Sequence, residues 1–283
     1  MNGATDTAAL YLRPMSKFSR ALAILAAMLV APPALSARAD EVVSRPIVVE
    51  LFTSQGCSSC PPADALLGRL SQSREVVALT LPITYWDMLG WKDTLGSEAN
   101  TRRQKSYARI MGHGGVYTPQ MIIDGVNDVV GSRESAVKAA LDARRTYIAA
   151  VQTRELRQAM AGRQTLLDIP VTMSATPREV HVVVGAARDR ADHDATIWMM
   201  RVLSQATVKI GAGENQGRTM TYHNVVRDLR AVGMWKGQPI TLDLPRGDSQ
   251  VPHDGVAIVV QQAGYGRIIG AGLLSHSSYY AAQ

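Results

Sequence analysis

Two cysteines, Cys57 and Cys60, are the side chains of this sequence that are best suited to redox chemistry. They are the only cysteines among its 283 residues, and only Ser58 and Ser59 separate them. A Cys-x-x-Cys pair between a buried strand and the start of a helix is a usual setting for a thiol-disulfide redox centre. A bridge across so short a loop stabilises a fold little by restricting the unfolded chain. The pair therefore predicts redox chemistry rather than a structural cross-link.

The two thiols are expected to have different roles. A thiol attacks a disulfide as the thiolate, and an ordinary cysteine has a pKa of about 8.5. Cys57 precedes the predicted helix, whose unpaired N–H groups and positive dipole end favour the thiolate. We expect Cys57 to be an exposed nucleophile with a lowered pKa, and Cys60, one helical turn inward, to be the resolving thiol. Exchange would then pass through a mixed disulfide at Cys57.

The neighbouring sequence predicts the elements that hold this motif. Two apolar runs predict buried strands, and the helical pattern between them predicts a right-handed crossover with parallel strands. Farther on, Asp124-Gly125 between two apolar runs predicts a type I′ hairpin, with Pro119 just before its first strand. The other predicted elements are strands at 46–53 and 76–83, helices at 63–70 and 94–111, with Ser97 as the cap of the latter, and a helix after Ser132 that ends near Met160.

The second half of the sequence has a different character. Short alternating or β-branched runs recur there, separated by Gly, Pro and Asp, and none has a convincing helical period. About seven short strands of this kind are typical of an antiparallel sandwich or partial barrel. They are predicted at 166–173, 180–186, 196–205, 218–226, 239–244, 256–261 and 267–274. A domain boundary is therefore expected near residues 155–165.

Over residues 45–147 the order of the predicted elements resembles that of the thioredoxin fold. The sequence is similar, more closely, to a bacterial secreted thioredoxin-like family known only as a domain of unknown function. The segments that carry this similarity are ELFTSQGCSSCPPAD, YWDMLGW, GVYTPQMIIDG and GENQGRT. The expected architecture is an α/β thioredoxin-like domain at 40–160, followed by an antiparallel β-rich, sandwich-like domain at 161–283.

The resemblance also implies roles for individual residues. It implies dithiol-disulfide exchange at the Cys-x-x-Cys pair, with protein thiols or disulfides as clients and a redox partner protein. It implies a cis peptide bond at Thr118-Pro119 that faces Cys57, and it makes Glu50 the counterpart of the buried proton acceptor of thioredoxins. Gly56 stands where thioredoxins proper have a tryptophan. The redox potential and the partner are therefore not carried over with the resemblance.

Three aromatic side chains, Tyr85, Trp86 and Trp91, follow the second predicted strand. In open α/β sheets, ligands bind beyond the carboxyl ends of the strands. These side chains are therefore candidates for one wall of a substrate groove. The alternative is a surface loop that its aromatic side chains pin to the core.

Two other classes of function stay open at this point. Thiolates bind Cu(I), so the two cysteines and His113 are a candidate copper site. The remaining histidines lack ligand spacing, and we expect any bound metal to be incidental. The second alternative is a non-enzymatic binding module in which the polar loop 211–217 contacts a partner. The sequence has no phosphate loop and no dinucleotide fingerprint, so no cofactor is predicted.

Residues 1–39 are predicted to be a secretory signal peptide. Basic residues, an uncharged apolar run at 21–31 and the small-x-small sequence Ala37-Arg38-Ala39 follow one another in the order of such signals. The run is shorter than the roughly 20 residues of a membrane span. A periplasmic or secreted protein, with no membrane association after cleavage, is expected. The net charge of +6 comes without a basic run with interleaved aromatics, so nucleic acid is not an expected partner.

Overall fold

The computed structural model describes residues 45–160, 168–187, 193–247 and 249–280. The predicted signal peptide lies outside these residues, as does the start of the strand predicted at 166–173. The elements of the first half are β1 (Ile47–Thr53), α1 (Pro61–Leu70), β2 (Val76–Pro82), α2 (Glu98–Ile110), β3 (Gln120–Ile123), β4 (Asn127–Val130) and α3 (Glu134–Met160). Those of the second half are β5 (Val171–Ala175), β6 (Glu179–Val184), β7 (Ala195–Lys209), β8 (Thr219–Trp235), β9 (Ile240–Pro245), β10 (Gly255–Gln262), β11 (Ile268–Leu274) and α4 (His276–Tyr280).

A large mixed sheet is the framework of the fold, with the strand order β11-β10-β7-β8-β2-β1-β3-β4. Strands β1 and β2 are parallel and are joined through α1, as the sequence predicts. The β3–β4 hairpin lies antiparallel to β1 on the other side. Its turn has positive φ angles at Asp124 (52°) and Gly125 (71°), which is what a type I′ turn requires.

The strands of the second half do not form a separate domain. All seven predicted strands are present, but β7, β8, β10 and β11 belong to the large sheet, and only β5, β6 and β9 form a second, small sheet. The junction is β8, which lies parallel to β2 with Val225 opposite Thr80. The described residues accordingly belong to one compact unit. The predicted division at residue 160 is corrected for a physical reason, because β2 is buried along its whole length and its edge needs a partner strand.

Strand β1 is buried on both faces, as its nearly continuous apolar sequence predicts. On one face it packs against α1 and α3, in a cluster that includes Val49, Leu51, Leu67, Val137 and Leu141. On the other face it packs against β2 and strands of the second half, in a cluster that includes Phe52, Leu81, Met200, Val226 and Val259. The small sheet covers the outer face of β7 and β10. No helix in the described ranges is long and apolar enough to cross a membrane.

A buried ion pair between Glu50 and Arg103 joins β1 to α2. Both side chains are 0% exposed, and Arg103 donates from Nε to Glu50 Oε1 (2.5 Å) and from Nη2 to Oε2 (3.1 Å). The Tyr107 hydroxyl donates to Oε2 as well (2.5 Å). Arg103 Nη2 also donates to Gln261 Oε1 on β10 (3.1 Å), so the cluster reaches into the second half of the chain.

A second buried junction lies at Asp124 in the β3–β4 turn. Its carboxylate accepts hydrogen bonds from Arg45, which precedes β1, and from Arg144 on α3. Its backbone carbonyl accepts from the amide of Ile268 at the start of β11 (2.9 Å). The turn is therefore held from three directions, one of them from the second half of the chain.

The Glu50–Arg103 pair predicts a large and testable effect on stability. Arg103→Ala leaves a buried carboxylate without its counter-charge, and we expect the free energy of unfolding to fall by about 3–5 kcal/mol. The measurement is urea denaturation of the purified protein. Arg69→Ala is the control, because the Arg69–Glu134 pair is more than half exposed (58% and 56%), and it should cost about 1 kcal/mol or less.

A double variant separates the lost pairing from lost packing. Replacing Glu50 by Leu and Arg103 by Met removes both charges and keeps apolar volume, and it should recover most of the stability that Arg103→Ala loses. Equal losses in the single and the double variant would show that the charge pairing is not what stabilises this region.

Candidate functional site

The two cysteines form a disulfide where β1 passes into α1. Their Cα atoms are 5.4 Å apart. The Cys57 amide donates to the Ser54 carbonyl (3.1 Å) and the Cys60 amide to the Cys57 carbonyl (3.2 Å), so the motif is a series of tight turns. Cys60 is the N-cap of α1, and two prolines occupy the first helical positions. Proline is tolerated there because those N–H groups have no partner within the helix.

The disulfide is fully buried, with both cysteines 0% exposed. Only Ser58 and Ser59, the residues between them, are exposed. The expectation that Cys57 lies on the exposed side of the turn is wrong for the disulfide form. One reason is that residues more than 150 positions farther along the chain bind the backbone beside Cys57 and help to cover it.

The cover is the loop between β7 and β8, residues 210–218, which we call the covering loop. Asn215 is 0% exposed, and its side-chain amide donates to the backbone carbonyls of Gln55 (2.9 Å) and Cys57 (2.8 Å). Next to it, Glu214 Oε2 accepts a hydrogen bond from the Ser58 amide (3.1 Å). The Ser58 side chain first, and its amide second, lower the pKa of Glu214 by hydrogen bonding. The covering loop thus binds the backbone on both sides of Cys57.

The covering loop has a defined conformation of its own. Backbone hydrogen bonds close its base, from the Ile210 amide to the Arg218 carbonyl (2.9 Å) and from the Gly217 amide to the Ile210 carbonyl (2.9 Å). Gly213 and Gly217 have φ angles of 77° and 81°, in the region that favours glycine. A side chain on Gly211 would collide with the Trp91 ring, because an added Cβ would lie 2.9 Å from Trp91 Cζ3.

Three half-buried aromatic residues connect the parts of the site. Trp91 donates from Nε1 to Gln55 Oε1 (2.9 Å) and supports the covering loop. Trp86 contacts Gly56 and donates from Nε1 to Thr118 Oγ1 (2.8 Å). Tyr85 packs with Trp86 against the central core, and burial raises its pKa. The structure therefore gives these aromatics a structural task beside the disulfide.

The Thr118-Pro119 peptide bond is cis, as the sequence analysis expected. Its position is fixed from α2, because Gln104 Nε2 donates to the Tyr117 carbonyl (2.7 Å) and to Gln120 Oε1 (2.8 Å). Through Trp86, Thr118 is connected to the loop that carries Cys57.

The family model for "Protein of unknown function (DUF1223)" matches residues 48–261 of this chain. The chain belongs to this family. The expectation of a family of unknown function is confirmed. A crystal structure of a protein from Agrobacterium tumefaciens is 35% identical, with a TM-score of 0.65, and the match covers 81% of this chain and 94% of that one. HBP35 of Porphyromonas gingivalis is 10% identical, with a TM-score of 0.49, over 83% of this chain and 76% of that one. No curated protein matches the chain.

In this DUF1223 chain, Glu50 on β1 is paired with side chains of α2. Its two carboxylate oxygens accept three hydrogen bonds from Arg103 and Tyr107. Glu50 is therefore the anionic partner in a buried ion pair, and loss of Arg103 would leave its charge uncompensated in the core. The catalytic role expected for Glu50 stays a prediction. The structure adds a second buried carboxyl group, on the helix that begins at the cysteines.

That carboxyl belongs to Asp64 on α1, whose amide donates to the Cys60 carbonyl (3.1 Å). Residues four apart on a helix share a face, with Cβ atoms about 5–6 Å apart, and their side chains lean toward the helix N-terminus. Asp64 is 4% exposed, and neither carboxylate oxygen makes a hydrogen bond. Burial is the main cause that raises the pKa of Asp64 to about 8. The nearby Thr53 hydroxyl acts in the opposite direction, although it does not reach good hydrogen-bond geometry. The charge of Asp93 raises the pKa of Asp64 further.

Asp93 is a second buried acid at this site, beneath the loop before Cys57. Its carboxylate accepts from the amides of Gln55 (2.8 Å) and Leu95 (2.8 Å), and burial raises its pKa. Burial, Asp64 and Asp93 together raise the pKa of the Tyr222 hydroxyl on β8. Two acids that are hard to ionise therefore lie close to the disulfide.

The sequence held a signal for Asp64 but none for Asn215. Asp64 follows Ala63 and precedes Leu66 and Leu67, and all four are buried, so an acid stands on the apolar face of a predicted helix. Asn215 lies in an ordinary polar turn, and only the folded hairpin brings it to the cysteines.

The two cysteines and His113 were the candidate copper ligands, and the structure gives His113 another partner. His113 Nε2 pairs with Asp128 Oδ2 (2.7 Å) on β4. Within the described ranges, no group of three or more His, Cys, Asp and Glu side chains is arranged to hold a metal ion.

The raised pKa of Asp64 predicts how stability depends on pH. An unfolded aspartate has a pKa of about 3.9, whereas the folded protein holds the proton up to about pH 8. The contribution of the protonated Asp64 to the free energy of unfolding is therefore complete below about pH 4 and is lost as the pH rises through about 8. In Asp64→Asn, the fall in melting temperature between pH 5 and 9 should be smaller, and the variant should be the more stable protein at pH 9.

Thermal unfolding of the oxidised protein at several pH values tests this. Asp142→Asn is the control, because that side chain is 68% exposed, and its pH profile should follow that of the parent protein. A profile of Asp64→Asn parallel to the parent would mean that Asp64 is ionised in the folded protein at neutral pH.

Proposed function

We propose that this chain exchanges disulfides with polypeptide clients outside the cytoplasm, with Cys57 as the nucleophile and Cys60 as the resolving thiol. The observation that carries the proposal is the disulfide between the chain's two cysteines at the β1–α1 junction. A loop this short gives little stabilisation, so chemistry is the better reason for the bond. The leader-like residues 1–39 support an oxidising compartment, the periplasm or the cell exterior, where disulfides persist.

A thioredoxin-like arrangement of the first half supports the same proposal. The parallel β1–α1–β2 unit, followed by α2 and a hairpin that begins after Thr118-Pro119, has the order of elements that thioredoxin-like proteins use. In this reading Thr118-Pro119 and the aromatic residues Trp86 and Trp91 flank the client. Tyr85 belongs to the same wall.

The reaction transfers two electrons from the client's two thiols to the Cys57–Cys60 disulfide. A client thiolate attacks Cys57 Sγ, a client–Cys57 disulfide forms, and the Cys57–Cys60 bond breaks, with its electron pair passing to Cys60. A second client thiolate then attacks the client sulfur of the mixed disulfide and releases Cys57 as a thiolate. The client gains a disulfide, and the two cysteines gain two electrons and two protons. The reverse sequence reduces or rearranges a client disulfide.

Asp64 supplies and accepts a proton in this scheme. Cys60 leaves as a thiolate and needs a proton, and Asp64 lies one helical turn away on the same face. Because burial raises its pKa to about 8, the Asp64 carboxyl is protonated at neutral pH and can give that proton to Cys60. In the reverse direction its carboxylate takes the proton back before Cys60 attacks. A pKa close to that of a thiol suits transfer both ways.

Trapping of mixed disulfides tests the two cysteine roles. Cys60→Ser should accumulate a mixed disulfide with an unfolded polypeptide whose cysteine carries an activated disulfide. The Cys57 thiolate attacks the polypeptide sulfur and the activating thiol leaves, and without Cys60 nothing resolves the adduct. Cys57→Ser should accumulate at least about tenfold less. The readout is the intact mass of the adduct after acid quenching, and Ser58→Ala is the control that should behave as the parent protein.

Rates of alkylation against pH complete the test. Cys57 in the Cys60→Ser variant should titrate below an ordinary thiol, and Cys60 in Cys57→Ser should not. Equal adducts and equal titrations in the two variants would rule out this assignment of nucleophile and resolving thiol.

A further inference from the structure

We propose that the covering loop is a gate, and that Asn215 determines which thiols reach Cys57. The proposal rests on the proposed function and names its substrate class, since a closed gate admits extended polypeptides in preference to small thiols. A thiolate must approach a disulfide sulfur directly, and the sulfur of Cys57 belongs to a residue with no exposed surface. The covering loop binds the backbone on both sides of Cys57, so its movement is the opening that would expose this sulfur for exchange.

The contacts that close the gate are few and specific. Asn215 contributes two hydrogen bonds, to the carbonyls of Gln55 and Cys57. Its own Oδ1 is buried without a partner, so closure leaves one polar atom unsatisfied. Glu214 adds a bond to the Ser58 amide from a fully exposed carboxylate, which water replaces at little cost. Among the polar contacts, the amide of Asn215 is thus the main one that holds the closed form, beside the packing of Gly211 and Gly213 on Trp91.

The loop can move as a unit without breaking the sheet. The β7–β8 ladder runs to Lys209 opposite Thr219, and the loop beyond it is closed by its own hydrogen bonds between Ile210 and Arg218. Opening also frees the Ser58 amide from Glu214. The Ser58 N–H group then becomes available to a thiolate at Cys57, and the negative charge of Glu214 moves away from that thiolate. Both changes favour the thiolate form of Cys57.

The chemistry of the contact identifies the partner that opens it. Asn215 satisfies two backbone carbonyls on a short stretch of chain, and an extended polypeptide carries N–H groups that can take its place. A small dithiol such as dithiothreitol has no amide and leaves both carbonyls without a donor. The gate therefore makes exchange faster for a polypeptide thiol than for a small thiol of the same pKa.

The experiment measures reduction of the oxidised full-length protein by dithiothreitol. One thiolate of dithiothreitol attacks Cys57, the disulfide bond breaks toward Cys60, and the second thiolate closes the dithiothreitol ring and releases Cys57. Asn215→Ala should be reduced about tenfold faster than the parent, because two hydrogen bonds are lost. Asn215→Asp keeps the shape but places acceptors against the carbonyls, and it should be reduced at least as fast.

Asn100→Ala is the matched control. Asn100 is also a 0% exposed asparagine that donates to two backbone carbonyls, those of Pro82 and Val226, and its Oδ1 also lacks a partner. This variant should lose stability in urea as Asn215→Ala does, while its disulfide is reduced at the parent's rate. A merely structural role for Asn215 would instead give both variants the same reduction rate.

The second readout is selectivity. The ratio of the exchange rate with a reduced cysteine-containing peptide to that with dithiothreitol should fall by about tenfold in Asn215→Ala. Unchanged reduction rates in both Asn215 variants, or an unchanged ratio, would overturn the gate. Failure of the proposed function looks different, because then neither the parent nor Asn215→Ala exchanges with a polypeptide, whereas the dithiothreitol rates still report on the gate.

Discussion

The buried contact between Arg103 and Glu50 is the interaction on which the site depends most. Two opposite charges, both 0% exposed, are stable in an apolar core only as a pair with good geometry. The pair fixes α2 against β1, and the neighbouring residue of α2, Gln104, then holds the backbone before Pro119. Asn100 on the same helix bonds the end of β2 to β8. One helix therefore contacts β1, the segment before Pro119 and the junction of β2 with β8.

The second half of the chain completes this site. Strand β8 pairs with β2, and the β7–β8 hairpin is long enough, with strands of 15 and 17 residues, to carry its loop to the start of α1. A single sheet thus provides both β1, which leads into the cysteines, and the covering loop that contacts their backbone. This explains how a residue as distant in sequence as Asn215 can satisfy the backbone beside Cys57. It also explains why the chain does not divide at residue 160, because the contacts of Asn215 with the Cys57 turn come from beyond that residue.

Local physical signals predicted the first half well and the second half only as strands. Apolar runs gave β1 and β2, Ser97 capped α2 as expected, and Asp124-Gly125 gave the β3–β4 hairpin. The seven later strands were also foreseen from their alternation, but alternation does not say which sheet a strand joins. The disulfide followed from the Cys-x-x-Cys spacing. Its burial did not, because strand pairing across more than a hundred residues decides it.

Several buried polar atoms near the disulfide have no hydrogen-bond partner: Thr53 Oγ1, both oxygens of Asp64 and Asn215 Oδ1. Such atoms cost free energy, and in native proteins they need a reason. The proposed chemistry provides one for Asp64, since reduction turns Cys60 into a thiol on the same helix face, with a proton to share. The oxidised protein then keeps an unpaired acid whose partner appears only in the other redox state. A carboxyl group selected for stability alone would have been paired, as Glu50 is, or replaced by an apolar residue.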